Sequence, residues 1–153
     1  MVNWSIKPFE QLTTEELYAI LRLRSEVFVV EQNCVFLDMD NKDRHCSHLM
    51  GWQGELLAAY SRIVPAGISY EETSIGRIVT SPTARRSGIG RELLIQSIDH
   101  VYKLYGRRSI RIGAQYYLKE FYASFGFVQK GEIYLEDGIE HVEMLLSVVK
   151  VVP

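Results

Sequence analysis

At 153 residues the chain fits one domain, and 47% hydrophobic residues suffice to bury a core, which excludes wholesale disorder. The 17 Lys and Arg against 19 Asp and Glu leave a net charge of −2, which argues against a general nucleic-acid binder. No apolar run approaches the roughly 18 residues of a membrane span. The opening Met1-Val2-Asn3-Trp4-Ser5 lacks the blocks of a signal peptide. Two cysteines, Cys34 and Cys46, make no disulfide framework, so a reduced, cytoplasmic setting is expected, with neither membrane nor nucleic acid as partner.

Residues 3–9 read as a short strand ended by Pro8. Thr13-Thr14-Glu15-Glu16 has the form of a capping box, in which Thr13 accepts from the amide three residues on and Glu16 reaches back. A helix follows with Leu17, Ile20, Leu21, Val27 and Phe28 on one face. From Phe28 an apolar run passes into an acidic loop, Asp38-x-Asp40-x-x-Asp43, without glycine or proline. A calcium loop would need glycine where Asp43 stands and glutamate where Leu49 stands. Cys34, His45, Cys46 and His48 fit no zinc spacing, so a structural role is expected of them and no metal is expected. The three aspartates suit steering of a cationic ligand by their field, or they form a plain solvated loop.

Strands come next. Residues 46–53 and 55–64 flank the hairpin signal Gln53-Gly54, and Pro65-Ala66-Gly67 breaks the second. Residues 74–80 carry Ile75, Ile78, Val79 and Thr80, which suit a pleated surface, and Pro82 stops that strand. Arg85-Arg86-Ser87-Gly88-Ile89-Gly90 then opens a helix with Leu94, Ile98, Val101 and Tyr105 at helical spacing, ending near Gly106. A turn feeding a helix N-terminus presents unpaired N–H groups and the positive end of the dipole, which together suit an anion. Gly88 and Gly90 allow close approach, and Arg85, Arg86 and Arg91 add forked donors suited to phosphate. An ordinary strand-to-helix turn with solvated arginines shares this glycine spacing. The P-loop is excluded because no lysine follows Gly90. The dinucleotide fingerprint is excluded because Leu93 stands where a small residue is needed and residues 109–113 hold no acid.

Residues 107–113 read as a strand and 116–124 as a short helix with Leu118, Phe121, Tyr122 and Phe125 on one broad face. Residues 127–130 return as a strand, and Asp137-Gly138 turns into a last strand over 141–152. That segment is apolar on both faces through Val142, Met144, Leu145, Leu146, Val148, Val149, Val151 and Val152. It suits a central strand or one shared between subunits of a homodimer. The order β-α-β-β-β-α-β-α-β-β describes a mixed α/β domain around one core.

Arg85-Arg86-Ser87-Gly88-Ile89-Gly90 resembles the pyrophosphate-binding signature Gln/Arg-x-x-Gly-x-Gly/Ala of the GNAT N-acetyltransferase superfamily, at every fixed position. Arg24-x-x-Val27-Phe28-Val29-Val30-Glu31-Gln32 with the aspartate loop is similar to the ElaA-like branch of that superfamily. Phe121-Tyr122-x-x-Phe125-Gly126-Phe127 resembles the GNAT pattern in which a helix tyrosine precedes a Gly-Phe strand entry. The resemblance runs from about Thr14 to Leu146. It implies one GNAT-like domain over residues 1–153, α/β (α+β), with a mixed central sheet of six to seven strands and about four helices.

The resemblance further implies acetyl-CoA as co-substrate and direct attack of a primary amine on the thioester. The implied cofactor-binding residues are Ile78, Val79 and Thr80 through strand amides opened by a bulge. Arg85, Arg86, Ser87, Gly88, Ile89, Gly90 and Arg91 at the turn join them, with Gln115 where the family often has asparagine. The implied catalytic acid is Tyr122, since a phenol near pKa ~10 is close enough to a thiol near ~8.5 to protonate it as it leaves. Tyr116 and Tyr117 are the nearby competitors for that role. Many family members carry a carboxylate on the strand where this chain has none from Ser74 to Thr80. Glu31, Asp38, Asp40, Asp43, His45 and His141 are therefore the candidates for taking the amine's proton. A small cationic amine is favoured over a peptide lysine or N-terminus. The competing reading is a CoA-binding regulatory or interaction module without turnover.

Overall fold

A computed structural model describes residues 1–148. The strands β1 (Asn3–Pro8), β2 (Ser47–Gln53), β3 (Leu56–Val64) and β4 (Ser74–Thr80) form one antiparallel sheet in that order. The strands β5 (Ile110–Gln115), β6 (Val128–Glu136) and β7 (Ile139–Leu146) form a second antiparallel sheet in the order β5-β7-β6. The helices are α1 (Thr14–Arg24), α2 (Ile89–Tyr105) and α3 (Lys119–Ala123). Seven strands in the expected order thus form, but as two sheets rather than one.

The division lies between β4 and β5. These strands run parallel and meet at the bridge Thr73–Ile110, where the Arg111 amide donates to the Thr73 carbonyl at 2.9 Å. Beyond that point no pairing joins them among the described residues, and the sheets part as a wedge. A bulge in β4, opposite Ser61 of β3, bends the strand as it leaves the bridge.

Local chemistry explains the elements on either side. The capping box of α1 is complete: Glu16 N–H donates to Thr13 Oγ1 at 3.0 Å, and Thr13 N–H donates to Glu16 Oε1 at 2.9 Å. α1 continues through the expected Val27 and Phe28 as a π-helical turn, Ser25–Glu31, with i→i+5 bonds such as Gln32 N–H to Val27 O at 3.1 Å. One face of the first sheet receives Leu93, Leu94 and Val101 of α2 against Leu49, Ile63 and Ile75. The other receives Ile20, Leu23 and Val27 against Met50, Tyr60 and Val79.

β5 starts at Ile110 rather than at residue 107, and β6 runs on past Lys130 to Glu136. β7 is the central strand of its sheet, which accounts for burial of Val142 and Met144. Val149, Val151 and Val152 lie outside the described residues. Among the described residues no helix is long and apolar enough to cross a membrane.

Candidate functional site

The wedge holds a cavity of about 950 Å³. β4 lines it from Ser74 to Thr80, β5 contributes Gly113 and Gln115, and Leu118 and Tyr122 follow from the α3 side. Phe28, Glu31, Gln32, Phe36 and Leu37 cover it. Of the residues named from sequence, Ile78, Val79, Thr80, Arg85, Gln115 and Tyr122 therefore share one cavity. Arg86, Ser87, Gly88, Ile89, Gly90 and Arg91 form the adjoining turn and the start of α2.

Opposite Ser61, two residues of β4, Arg77 and Ile78, occupy the space of one, since Tyr60 pairs with Val79 and Arg62 with Gly76. Arg77 takes φ 48°, a left-handed conformation that costs an L-residue about 1–2 kcal/mol. Its side chain offsets that strain: Nε donates to Asp38 Oδ1 at 2.7 Å and Nη2 to the Asp38 carbonyl at 3.2 Å. A bulge leaves its extra residue out of the ladder, here on the cavity wall.

The aspartates of the acidic loop are neither left to solvent nor free to act as a steering field. Asp38 and Asp43 are buried and Asp40 is largely so. Arg24, 0% exposed, donates to Asp38 Oδ2 and Asp43 Oδ1, both at 2.7 Å. Arg62 donates from Nη1 and Nη2 to Asp40 at 2.8 Å each, and from Nη1 to Asp43 at 3.0 Å. Three guanidiniums thus match three carboxylates, and a paired cluster projects little field. Burial alone would raise the Asp40 carboxyl, but the hydrogen bonds and charge of Arg62 hold it far below the usual range. Asp43 is lowered against the same burial by Arg24 and Arg62.

Beside this cluster, His48 is fully buried between the Tyr60 hydroxyl at 2.7 Å and the Asp43 carbonyl at 2.9 Å, and burial lowers its pKa. Burial also pushes the Cys46 thiol up to about 11, and its Sγ donates to the Lys42 carbonyl at 3.2 Å. Both residues are structural. Among the described residues no three His, Cys, Asp or Glu side chains gather as a metal site.

At the turn, Gly88 caps α2 at φ 79°. The first-turn amides of α2 have no intrahelical acceptor; the first bond back is Glu92 N–H to Gly88 O at 3.2 Å. A positive φ explains Gly88. Nothing explains Gly90 internally, since its φ is ordinary and an added Cβ would meet no atom within 4 Å. The arginines are less uniform than the sequence implies. Arg85 reaches across the cavity mouth to grip Glu31 with two bonds, 2.9 and 2.7 Å, and this contact lowers the Glu31 pKa. Arg91 donates to Ser124 Oγ at 3.1 Å and lies 4.5 Å from the Phe125 ring centre. Arg86 is exposed.

Gln115 exchanges amide bonds of 3.3 and 3.2 Å with Gln32, which clasps β5 to the segment covering the cavity. Tyr122 is 5% exposed and packs edge-on against Phe121 and Phe127. Burial, with Tyr117 nearby, raises its phenol, so the hydroxyl stays in its donating form. Sequence reasoning missed Gln32 and Arg77 as parts of the site. Gln32 stands in the Val27–Gln32 stretch that carried the resemblance, whereas no local signal marks a strand arginine for a left-handed bulge.

Residues 26–148 match the family model described as an acetyltransferase (GNAT) domain. The chain belongs to the GNAT acetyltransferase family. This GNAT chain is 40% identical over 148 residues to a UPF0039 protein of Synechocystis, covering 96% of each chain. It is 36% identical over 152 residues to the protein ElaA of Escherichia coli, covering 98% of this chain and 99% of ElaA. These relatives bear out the resemblance to the ElaA-like branch. Among solved structures, an acyl-CoA N-acyltransferase from Pseudomonas aeruginosa superposes with a TM-score of 0.92 at 37% identity, covering 96% of this chain and 100% of that one. Escherichia coli ElaA gives 0.89 at 36%, covering 95% and 99%. A Bacillus subtilis acetyltransferase in complex with CoA shares the fold at 20% identity, with a TM-score of 0.65 and coverage of 97% and 100%.

Proposed function

We propose that this GNAT chain transfers an acetyl group from acetyl-CoA to a primary amine, a small cationic amine ahead of a peptide. The observation that carries the reading is one cavity holding a bulged β4, a buried tyrosine and, at its edge, a helix start with space over Gly90. That space fits a pyrophosphate against the α2 amides. Bound there, acetyl-CoA supplies an electrophilic carbonyl and a thiolate leaving group.

The chain's own residues do the rest. The amides of Ile89, Gly90 and Arg91, with the Arg86 guanidinium, hold the diphosphate. β4 amides from Ile78 to Thr80 stabilise the developing oxyanion. The Tyr122 hydroxyl donates its proton to the departing sulfur. Gln115 offers its side-chain amide to the pantetheine arm. Glu136 and Asp137 line the cavity, and these, not the paired aspartates, favour a cationic acceptor. The two buried free thiols, Cys34 and Cys46, suit a reducing cytoplasm.

Calorimetric titration with acetyl-CoA of the wild type and Gly90→Glu tests the reading. A carboxylate in the first turn of α2 favours the helix but repels a diphosphate. Micromolar binding lost in a variant that melts no lower than the wild type is expected. No binding by the wild type overturns the reading.

A further inference from the structure

We infer that His141 is the catalytic base, accepting the acceptor amine's proton at Nε2; this rests on the transferase reading above. The carboxylates lining the cavity are Glu31, Asp40, Glu136 and Asp137. Glu31 is gripped by Arg85, and Asp40 by both terminal nitrogens of Arg62. Asp38 and Asp43 are bound to arginines in the buried cluster. His45 is exposed and does not line the cavity, and His48 has both ring nitrogens engaged. His100 lies on α2, away from the lining. Of the four histidines only His141 lines the cavity.

Residues of a strand alternate between faces. Val142 and Met144 of β7 point into the core, which puts His141 on the opposite, cavity-facing side. His141 is 7% exposed, and its Nδ1 lies 2.8 Å from the Ile139 carbonyl oxygen. A carbonyl can only accept, so Nδ1 carries the hydrogen and Nε2 keeps its lone pair. Tyr134 stacks on the ring with centres 5.8 Å apart and fixes its plane. Glu136 Oε2 stands 3.5 Å from Nε2, and its side chain is 59% exposed. It offers an imidazolium a counter-charge and a route to water. The other titratable groups around this face are Tyr134 of β6, Tyr70 and Asp137 of loops, and Glu143 and Arg111, which pair with each other at 3.1 Å.

The step balances. The amine nitrogen bonds to the acyl carbon and gives one proton to Nε2. The carbon–sulfur bond breaks, and the sulfur takes the Tyr122 proton. The imidazolium then loses its proton past Glu136 to water, and Tyr122 regains one from solvent.

Two measurements test this. Nitrogen-15 NMR of the wild type is expected to show the neutral His141 ring as the tautomer protonated at Nδ1 and bare at Nε2; a neutral ring protonated at Nε2 overturns the proposal whatever the kinetics. Transfer is read by thiol release, with acetyl-CoA as donor and spermidine, benzylamine and lysine as probe amines. His141→Gln is expected to keep the wild-type Kd for acetyl-CoA and lose at least ~100-fold in kcat, the lower end for general base catalysis. A kcat within threefold of wild type overturns the assignment. A wild type that fails to bind acetyl-CoA removes the transferase reading itself, and the titration tells that failure apart from one at His141.

Discussion

Tyr122 and Gly90 show what a single side chain, or its lack, contributes. Tyr122→Phe removes one hydroxyl from a packed ring. The expected result is a fall in kcat of about 100-fold with acetyl-CoA affinity retained. Steady-state rates beside a binding titration check it, and an unchanged rate removes Tyr122 as the acid. Gly90→Ala takes the opposite direction: with room for a Cβ and an ordinary φ, it is expected to stabilise the fold by about 0.5–1 kcal/mol, seen as a higher urea midpoint. The place of Tyr122 on the packed face of α3 and the turn at Gly88 were open to sequence reading because short local patterns carry them. Arg24 was not. A charged residue on a mostly apolar helix face reads as solvent-exposed, and only partners 14 and 19 positions away explain its complete burial.

Among the elements, β4 depends on a strained residue and on the loop that holds it. Arg77 at φ 48° is tied to Asp38, 39 positions earlier. Both Arg77→Ala and Arg77→Gly lose the ion pair, but only glycine accepts the left-handed backbone without penalty. Glycine is therefore expected to be the more stable of the two by about 1 kcal/mol, measured by chemical denaturation, and equal midpoints count against stored strain. Arg24→Leu leaves two buried carboxylates short of a partner and is expected to cost about 3–5 kcal/mol. The extents of β4 and α2 and the cap of α1 were legible because periodicity, proline and capping are local signals. The pairing of one loop with arginines from α1, β3 and β4 is not local, so the loop read as acidic rather than neutralised.

For the molecule as a whole, the paired carboxylates and His48 set the response to acid. His48 is held neutral below its ordinary pKa, so from about pH 6.5 downward the unfolded chain takes up a proton that the folded one refuses, and stability falls. The folded-state pKa values of Asp40 and Asp43 are depressed, so their contribution is complete above about pH 4 and is lost as pH drops through the folded values. Two descending stages in urea midpoint against pH are expected, and His48→Gln should flatten the upper one. The seven strands could be read along the chain, but their division into two sheets could not, because it depends on how little β4 and β5 share.

That meagre join has a practical meaning. Past Thr73 and Ile110, the facing margins of β4 and β5 carry backbone donors and acceptors that no neighbouring strand pairs among the described residues. Such margins are adhesive to any extended chain that reaches them. The covering stretch, residues 25–43, is what keeps strangers out. Gentle warming that lifts this cover should turn the ligand-free protein cloudy before it melts cleanly, while an amide-bearing ligand seated along the seam should keep the solution clear.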